Sequence, residues 1–217
     1  MRMEMGDGFA AGRNQNGQAM GRKGLQTRRR LIDATVAQLE NNRLRDLRVA
    51  DIARAAGTST ATFYVYFPDV ADAALAALEE LTQSTPELLA LIEADWSIGD
   101  PQIRAQRIVD CYGDLWADHH ALFRVRNLAA DEGDGRFRAS RENSIRGVLA
   151  AGASAIRRAQ QAGWAAPKLD PIATFGVLIA MLERFAAVQH YYRYSGVERR
   201  HMTVAAAHMM AHVMGPP

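Results

Sequence analysis

The chain has 217 residues, of which 48% are hydrophobic and 23% are charged, and its formal net charge at pH 7 is +2. These values are typical of a globular protein that buries a substantial core. The single cysteine, Cys111, excludes an intrachain disulfide and a cysteine-based zinc site, and it fits a reducing cytoplasm. No uninterrupted apolar run reaches the length of about 18 residues that indicates a transmembrane helix, and residues 1–24 lack the apolar region of a secretory signal.

The positive charge is concentrated in the first third of the chain. Residues 1–67 contain 11 Lys and Arg against 6 Asp and Glu, whereas residues 68–217 contain 15 against 18. A basic first third joined to a mildly acidic remainder indicates a head that binds a polyanion. Four of the basic residues lie within residues 1–24, a segment rich in Gly, Asn and Gln that we predict to be a disordered arm.

Three helices are predicted after this arm. Apolar residues at positions i, i+4 and i+7 predict a first helix over about residues 26–41. The same periodicity predicts a second helix that starts at Val49, and Gly57 ends it because glycine readily adopts a left-handed conformation. Ser59 or Thr60 caps a third helix that runs to about Phe67, where the following proline interrupts it.

Helical periodicity continues almost to the end of the chain. Asp69 caps a fourth helix, which Pro86 kinks and which extends as far as about residue 95. Further helices are predicted around residues 108–115, over about 121–130, from before Ile145 through about residue 162, and over about 170–194 and 198–213. No long strand-like alternation occurs, so we predict an all-α fold with about nine helices.

The segment 48–67 reads RVADIARAAGTSTATFYVYF and contains the turn between the second and third helices. Two short helices joined by a glycine-containing turn have the geometry of a helix-turn-helix. Ala53 and Ala56 are small where the helices approach each other, and Ile52 and Phe63 fill the core beneath them. On spacing alone, the polar side chains of the third helix fit two structures equally well: a helix that reads a DNA groove and an exposed helical corner.

This segment resembles the helix-turn-helix of the TetR family of transcriptional regulators. The run DIARAAGTSTATFYVYF follows the family pattern "dIA..AG.s..t.Y.yF", and it lies near the N-terminus behind an amphipathic helix, as in that family. The resemblance, counting the first helix, covers about a quarter of the chain. The matching positions are Asp51, Ile52, Ala53, Ala56, Gly57, Ser59, Thr62, Tyr64, Tyr66 and Phe67.

The resemblance implies a domain organisation and a function. After the arm of residues 1–24, we expect a three-helix DNA-binding domain over 25–68 and a larger helical bundle over 69–217 for effector binding and dimerisation. We expect a cytoplasmic dimeric regulator, by default a repressor, that uses no cofactor. A small hydrophobic or aromatic effector would release it from a pseudo-palindromic operator in double-stranded DNA.

One family feature is missing from the sequence. The lysine that usually follows the phenylalanine and holds a DNA phosphate is replaced by Val70, with Asp69 before it. The phosphate contact could come instead from Arg48 or from the basic cluster at residues 28–30. The alternative interpretation of that cluster is a solvated helix end that contacts no DNA. The predicted DNA-binding residues are Arg28, Arg29, Arg48, Ser59, Thr60, Thr62, Tyr64 and Tyr66.

The last two predicted helices carry the features of a dimer interface. The first of them is apolar on more than one side, and the second contains small residues that permit close packing. We predict that both pair with their symmetry mates in a four-helix interface.

A ligand pocket is predicted among the helices before and within this region, as the resemblance implies. Its lining would be mostly apolar with a few polar groups. Aromatic residues at helical spacing also fit ordinary core packing, so that alternative stays open at each position. The candidate residues are Cys111, Tyr112, Trp116, Phe123, Asn127, Ile145, Leu149, Phe175 and Ile179.

Other functions have weaker support in the sequence. No nucleophile elbow or Walker loop occurs, so we do not expect an enzyme. His201, His208 and His212 share one face of the last helix without an acidic partner in a recognised motif, so we predict no metal site. The remaining alternative is a helical DNA-binding or interaction protein that has no small-molecule effector.

Overall fold

The computed structural model of the chain describes residues 15, 17–82, 86–188 and 196–217. Within these ranges the chain forms ten α-helices, a short 3-10 helix at Leu44–Asp46 and no β-strand, which confirms the predicted all-α fold. The helices are α1 (Arg22–Leu39), α2 (Val49–Ala55), α3 (Thr60–Tyr66), α4 (Val70–Thr82), α5 (Pro86–Glu93), α6 (Pro101–Asp118), α7 (His120–Asp131), α8 (Gly135–Gln161), α9 (Pro171–Val188) and α10 (Arg199–Met214).

The predicted helix boundaries differ from the observed ones at the start of α1 and within the predicted fourth helix. α1 begins about a turn before the predicted start, because polar residues without apolar periodicity form its first turn. The predicted fourth helix is two helices, since α4 ends at Thr82 and Pro86 starts α5 as its first residue. Residues 1–14 and 16 of the predicted arm, and residues 189–194 of the predicted penultimate helix, lie outside the described residues.

The chain divides into two compact units, unit 1 over Met1–Glu80 and unit 2 over Leu81–Pro217. The division falls inside α4, so the packing of unit 1 includes most of that helix.

The core of unit 1 lies beneath the turn between α2 and α3. Ile52 and Phe63 are fully buried, as predicted, and Ala53 is fully buried as well. α1 contributes Leu31 and Leu39, which are inaccessible to solvent. Burying these side chains removes their apolar surface from water, at roughly 1.5–3 kcal/mol for each large one, and so fixes how the three helices cross.

The core of unit 2 is formed mainly by α5, α6, α8, α9 and α10. α8 and α9 approach closely where the ring of Phe175 packs onto Gly152, because a Cβ atom there would lie 2.1 Å from Phe175 Cγ. Arg199 on α10 donates to Asp114 on α6 over 2.8 Å at the surface of the same unit.

α9 is the most apolar long helix among those described. By length and composition alone it would suffice to cross a membrane. Core helices of globular proteins have the same composition, and Phe175, Leu178, Ile179 and Leu182 of α9 are buried in unit 2. Packing within unit 2 therefore accounts for the apolar residues on this buried face of α9.

We predict that Gly152→Ala lowers the free energy of unfolding by about 1–3 kcal/mol, because the added methyl group overlaps Phe175. Gly147 lies on the same helix with no atom near its Cβ position, so Gly147→Ala is the matched control. The control is expected to raise stability by up to about 1 kcal/mol through helix propensity. Urea denaturation followed by circular dichroism measures both changes, and equal effects of the two substitutions would contradict the close approach.

Candidate DNA-binding surface and ligand cleft

The turn between α2 and α3 is held by a left-handed glycine. Gly57 has φ +66°, and its N–H donates to the carbonyl of Arg54 over 3.1 Å. The N–H of Thr58 donates to the carbonyl of Ala53 over 2.9 Å, which completes a Schellman motif. Because glycine reaches this conformation without steric cost, Gly57 sets the angle at which the chain enters α3.

Ser59 is the N-cap of α3, one of the two caps that the sequence predicted. Its side chain accepts a hydrogen bond from the N–H of Thr62 over 3.1 Å, and the two hydroxyl oxygens lie 2.9 Å apart. Thr60 follows at the exposed start of the helix. The hydroxyl groups predicted to contact DNA therefore lie together at the N-terminal end of α3.

The two tyrosines of α3 are placed differently. Tyr64 is 54% exposed and packs its ring edge-on against buried Phe63, with ring centroids 5.7 Å apart. Tyr66 is half-buried, and its hydroxyl lies beside the first turn of α1, 3.5 Å from the position that a Cβ atom would take at Gly24. Tyr64 therefore presents the larger surface for contact with a partner.

The arginines of α1 that were predicted to hold phosphates are bound to a carboxylate within unit 1. Arg28 Nη1 lies 3.3 Å from Glu80 Oε1, and Arg29 Nη1 lies 2.7 Å from Glu80 Oε2. Arg29 also pairs with Asp33 at 2.9 Å. Local sequence patterns carry no signal for Glu80, because about 50 residues separate it from the arginines.

Asp69, the acidic residue that precedes the position of the missing family lysine, has a hydrogen-bonding role at the start of α4. Asp69 accepts a hydrogen bond from the N–H of Asp72 over 2.8 Å, so it caps the helix as predicted. Arg48 is exposed at the N-terminal end of α2. Of the two replacements considered for the family lysine, Arg48 therefore offers an exposed cation, whereas Arg28 and Arg29 of the basic cluster are paired with Glu80.

Unit 2 contains a cleft of about 960 Å³ between the C-terminal end of α6, α7, the first half of α8 and the second half of α9. Two residues that the sequence predicted as ligand contacts, Trp116 and Asn127, line it. The other lining residues are Ala117, His120, Arg124, Leu128, Asp131, Arg141, Ala180, Glu183, Arg184, Ala186, Ala187 and Val188.

The other predicted ligand residues do not line this cleft. Phe123 packs behind Trp116, with ring centroids 5.0 Å apart. Phe175 and Ile179 are buried in the core of unit 2. The remaining four, which are half-buried against that core, are Cys111, Tyr112, Ile145 and Leu149.

Glu183 is the acceptor of a polar network at the edge of the cleft. Its side chain is only 12% exposed, and it accepts from Asn127 Nδ2 over 2.8 Å. Arg126 Nη2 lies 3.5 Å from Oε1, and Arg141 Nη2 lies 3.4 Å from Oε2. These contacts join α7, α8 and α9.

Arg126 is the most deeply buried cation described. Its side chain is 9% exposed, and its guanidinium lies 4.8 Å from the centre of the Phe123 ring. Nη1 donates to Ser144 Oγ over 3.2 Å. Burial lowers the pKa of Arg126, and the carboxylate of Glu183 opposes that shift.

Burial also raises the pKa of Tyr112 to about 12, with a further contribution from the negative charge of Glu183. The hydroxyl is therefore neutral at physiological pH. Sequence reasoning missed the arginines and Glu183 because the candidate residues were chosen as a mostly apolar lining and included no charged residue. The available signal was the pair Glu183 and Arg184 within an otherwise apolar helix.

The histidines of α10 are exposed, and His201 serves the start of its helix. Its Nδ1 atom accepts from the N–H of Glu198 over 3.3 Å. Across the described ranges, no group of three or more His, Cys, Asp or Glu side chains is arranged to hold a metal ion.

Two family models match the chain. The model described as "Bacterial regulatory proteins, tetR family" matches residues 31–77. The model described as "Tetracyclin repressor-like, C-terminal domain" matches residues 88–215, which is more than half of the chain. No curated protein matches the chain in sequence.

Solved structures share the fold at low sequence identity. A regulator from Saccharomonospora viridis, in complex with choline, has a TM-score of 0.69 at 21% identity over 86% of this chain and 96% of that one. The fatty acid degradation regulator FadR from Bacillus halodurans has a TM-score of 0.67 at 17% identity over 89% and 97%. FadR from Bacillus subtilis, in complex with stearoyl-CoA, has a TM-score of 0.64 at 18% identity over 87% and 99%.

A helix-turn-helix in one unit and a cleft in a second helical unit define a DNA-binding transcriptional regulator with a ligand-binding domain. The two family models identify which kind: the chain belongs to the tetR family of regulatory proteins, and the predicted family is confirmed. The members and neighbours that match are transcriptional regulators rather than enzymes.

We predict that Glu80→Gln tightens DNA binding at low salt by about threefold or more, because it releases Arg28 and Arg29 to neutralise phosphates. The slope of log affinity against log salt concentration should steepen by up to about two, because each arginine that contacts a phosphate releases about one counterion. Glu79→Gln removes the same charge from an exposed neighbour and is the control. Fluorescence anisotropy with labelled DNA at several salt concentrations measures both variants, and identical salt dependences would show that Glu80 does not withhold the arginines.

Proposed function

We propose that this regulator is a repressor that binds a pseudo-palindromic operator as a homodimer and is released by a small hydrophobic or aromatic effector bound in unit 2. The observation that carries the proposal is the exposed surface of α3, which Gly57 and Ser59 orient. A DNA target also implies a cytoplasmic location. The domain boundaries proposed for these roles are 25–68 for DNA binding and 69–217 for effector binding and dimerisation.

The residues at the start of α3 have the chemistry that DNA recognition needs. Ser59, Thr60 and Thr62 carry short hydroxyl groups that bond phosphates or base edges, and Tyr64 adds an exposed aromatic ring with a hydroxyl. Helix-turn-helix proteins insert the N-terminal part of the second helix of the motif into the major groove. Arg48 at the start of α2 would contact the adjacent backbone, where cations contribute sequence-independent affinity.

The exposed faces of α9 and α10 support a dimer of this chain. On α9 the exposed residues Ile172, Ala173 and Val177 form a patch in the first half of the helix, outside the cleft, and Val177 is 70% exposed. On α10 the large apolar side chains of Val204 and Met209 are exposed as well. A face of small and apolar residues allows two helices to pack closely, and a second copy would remove this surface from water.

Dimerisation has a direct role in operator recognition. Two copies of α3 must enter successive major grooves, about 34–36 Å apart, to bind both half-sites. An effector that binds preferentially to a conformation in which the two copies of α3 have a different spacing shifts the population away from the DNA-binding state. A hundredfold loss of operator affinity requires about 2.7 kcal/mol of coupling between the two sites.

The cleft in unit 2 supports the effector part of the proposal. Its volume of about 960 Å³ is ample for a small molecule, and Trp116, Leu128 and Val188 give it apolar walls. Structural neighbours hold choline in one case and stearoyl-CoA in another. The cleft favours a regulator with an effector over the alternative of a helical DNA-binding protein that takes no small molecule.

The proposed function is tested by the affinity of the chain for DNA from upstream of its own gene. We expect tight, salt-sensitive binding by two chains per site, and at least a tenfold loss in Tyr64→Ala, since a good groove contact contributes about 1–3 kcal/mol. Gln161→Ala, exposed at the C-terminal end of α8 in unit 2, is the control and should bind normally. Binding no tighter than to random DNA, or equal binding by Tyr64→Ala, would contradict the assigned role of α3.

We predict that Val177→Glu converts the dimer to a monomer, because a charge would be buried without a partner in the proposed interface. Light scattering after size-exclusion chromatography measures the molar mass. Ile103→Glu is the matched control, since Ile103 is a similarly exposed apolar residue on α6, outside the proposed interface. A Val177→Glu protein that retains the dimeric mass at micromolar concentration would place the interface elsewhere.

A further inference from the structure

The cleft of unit 2 has a charge pattern that defines its ligand more narrowly than its shape does. We infer that it takes an organic anion with an apolar body, whose negative group binds the guanidinium groups at the cleft and whose body packs against Trp116 and Leu128. This inference rests on the proposed function and specifies the chemical class of its effector.

Cations outnumber carboxylates around the cleft. Arg124, Arg141 and Arg184 line it, and the only carboxylates among its lining residues are Asp131 and Glu183. Arg126 lies directly behind, bonded to Glu183. The surplus is positive whether or not His120 is protonated, so the local potential attracts anions and repels cations.

The carboxylates of the cleft are poorly suited to hold a cationic ligand. Both oxygens of Glu183 already accept hydrogen bonds, one from Arg141 and the other from Asn127 and Arg126. Asp131 lies 3.7 Å from Arg141, and its side chain is 74% exposed, so water screens its charge. A cation would therefore have to displace an arginine that is already bonded.

Two of the arginines, Arg184 and Arg141, in contrast have capacity for another anion. Arg184 makes no hydrogen bond or ion pair with the described residues, and it is exposed on α9 where the cleft opens. Arg141 Nη1 has only the long contact with Asp131, whereas its Nη2 serves Glu183. A guanidinium presents donors in a planar fork that matches a carboxylate or phosphate, so these side chains can close on one anionic group.

An apolar surface lies within the same cleft. Trp116 is buried behind the opening, and Leu128 is 52% exposed although it is a large apolar residue. Ala180, Ala187 and Val188 continue this surface along α9. The combination of an apolar wall with a cationic rim fits an amphipathic anion, because each part of the ligand then has a matching surface.

The fluorescence of Trp116 tests the inference directly, without DNA. We would titrate the full-length protein with three probes of equal chain length: octanoate, octan-1-ol and octyltrimethylammonium, all below their micelle-forming concentrations. A fluorescence change that disappears in Trp116→Phe is assigned to the cleft, since Trp96 and Trp164 do not line the cleft. Octanoate should bind at least tenfold tighter than either other probe, the effect of about one charge-assisted pair.

Two substitutions then locate the anionic group. Arg184→Gln and Arg124→Gln should each weaken octanoate about fivefold or more and leave octan-1-ol unchanged, since they remove charge but little apolar surface. Arg157→Gln, exposed elsewhere on α8, is the control and should bind as the unaltered protein does. Light scattering confirms that the variants keep the mass of the unaltered protein; if Arg184→Gln alters it, Arg124→Gln on α7 carries the test.

Equal binding of the three probes, preference for the cation, or no binding of octanoate would each overturn the inference. None of these results would bear on operator binding, which is measured separately, so the proposed function could stand with an effector of another class. Failure of operator binding with tight octanoate binding would overturn the proposed function alone.

Discussion

The burial of Glu183 in the apolar helix α9 constrains how α7, α8 and α9 pack in unit 2, because a buried carboxylate requires compensating charge and hydrogen bonds. The compensation comes from Arg126 and Asn127 on α7 and from Arg141 on α8. These three helices cannot slide independently without breaking bonds to the same group. The network therefore sets the width of the cleft and brings guanidinium groups to its edge.

Unit 1 contains a similar arrangement, in which one carboxylate pairs with two arginines. Glu80, the last residue of unit 1, pairs with two arginines of α1, Arg28 and Arg29. In both units, then, a carboxylate organises guanidinium groups that an anionic partner would also bind. The partner proposed for the head is the phosphate backbone of DNA, and the partner inferred for the cleft is an organic anion. Binding to either site would redistribute bonds within a packed helical framework.

Local patterns in the sequence were sufficient to predict the helix-turn-helix of unit 1. The periodicity of α2, the turn at Gly57 and the capping residues at Ser59 and Asp69 each act within a few residues, so the sequence predicted them correctly. The cleft depends on contacts between residues far apart in the chain, such as Asn127 with Glu183. Aromatic residues at helical spacing do not distinguish core from cleft, so Phe175 and Ile179 were predicted as ligand contacts but lie in the core.

Coupling between the cleft and the DNA-binding surface is what would make a bound ligand regulate operator binding, and thermodynamic linkage gives a direct measurement of this coupling. If octanoate weakens operator binding by some factor, the operator must weaken octanoate binding by the same factor. We would titrate octanoate against Trp116 fluorescence with and without saturating operator DNA. We predict weaker octanoate binding to the DNA-bound dimer, by about tenfold or more for a coupling of about 1.4 kcal/mol. Equal affinities in the two titrations would show that the cleft does not control the head.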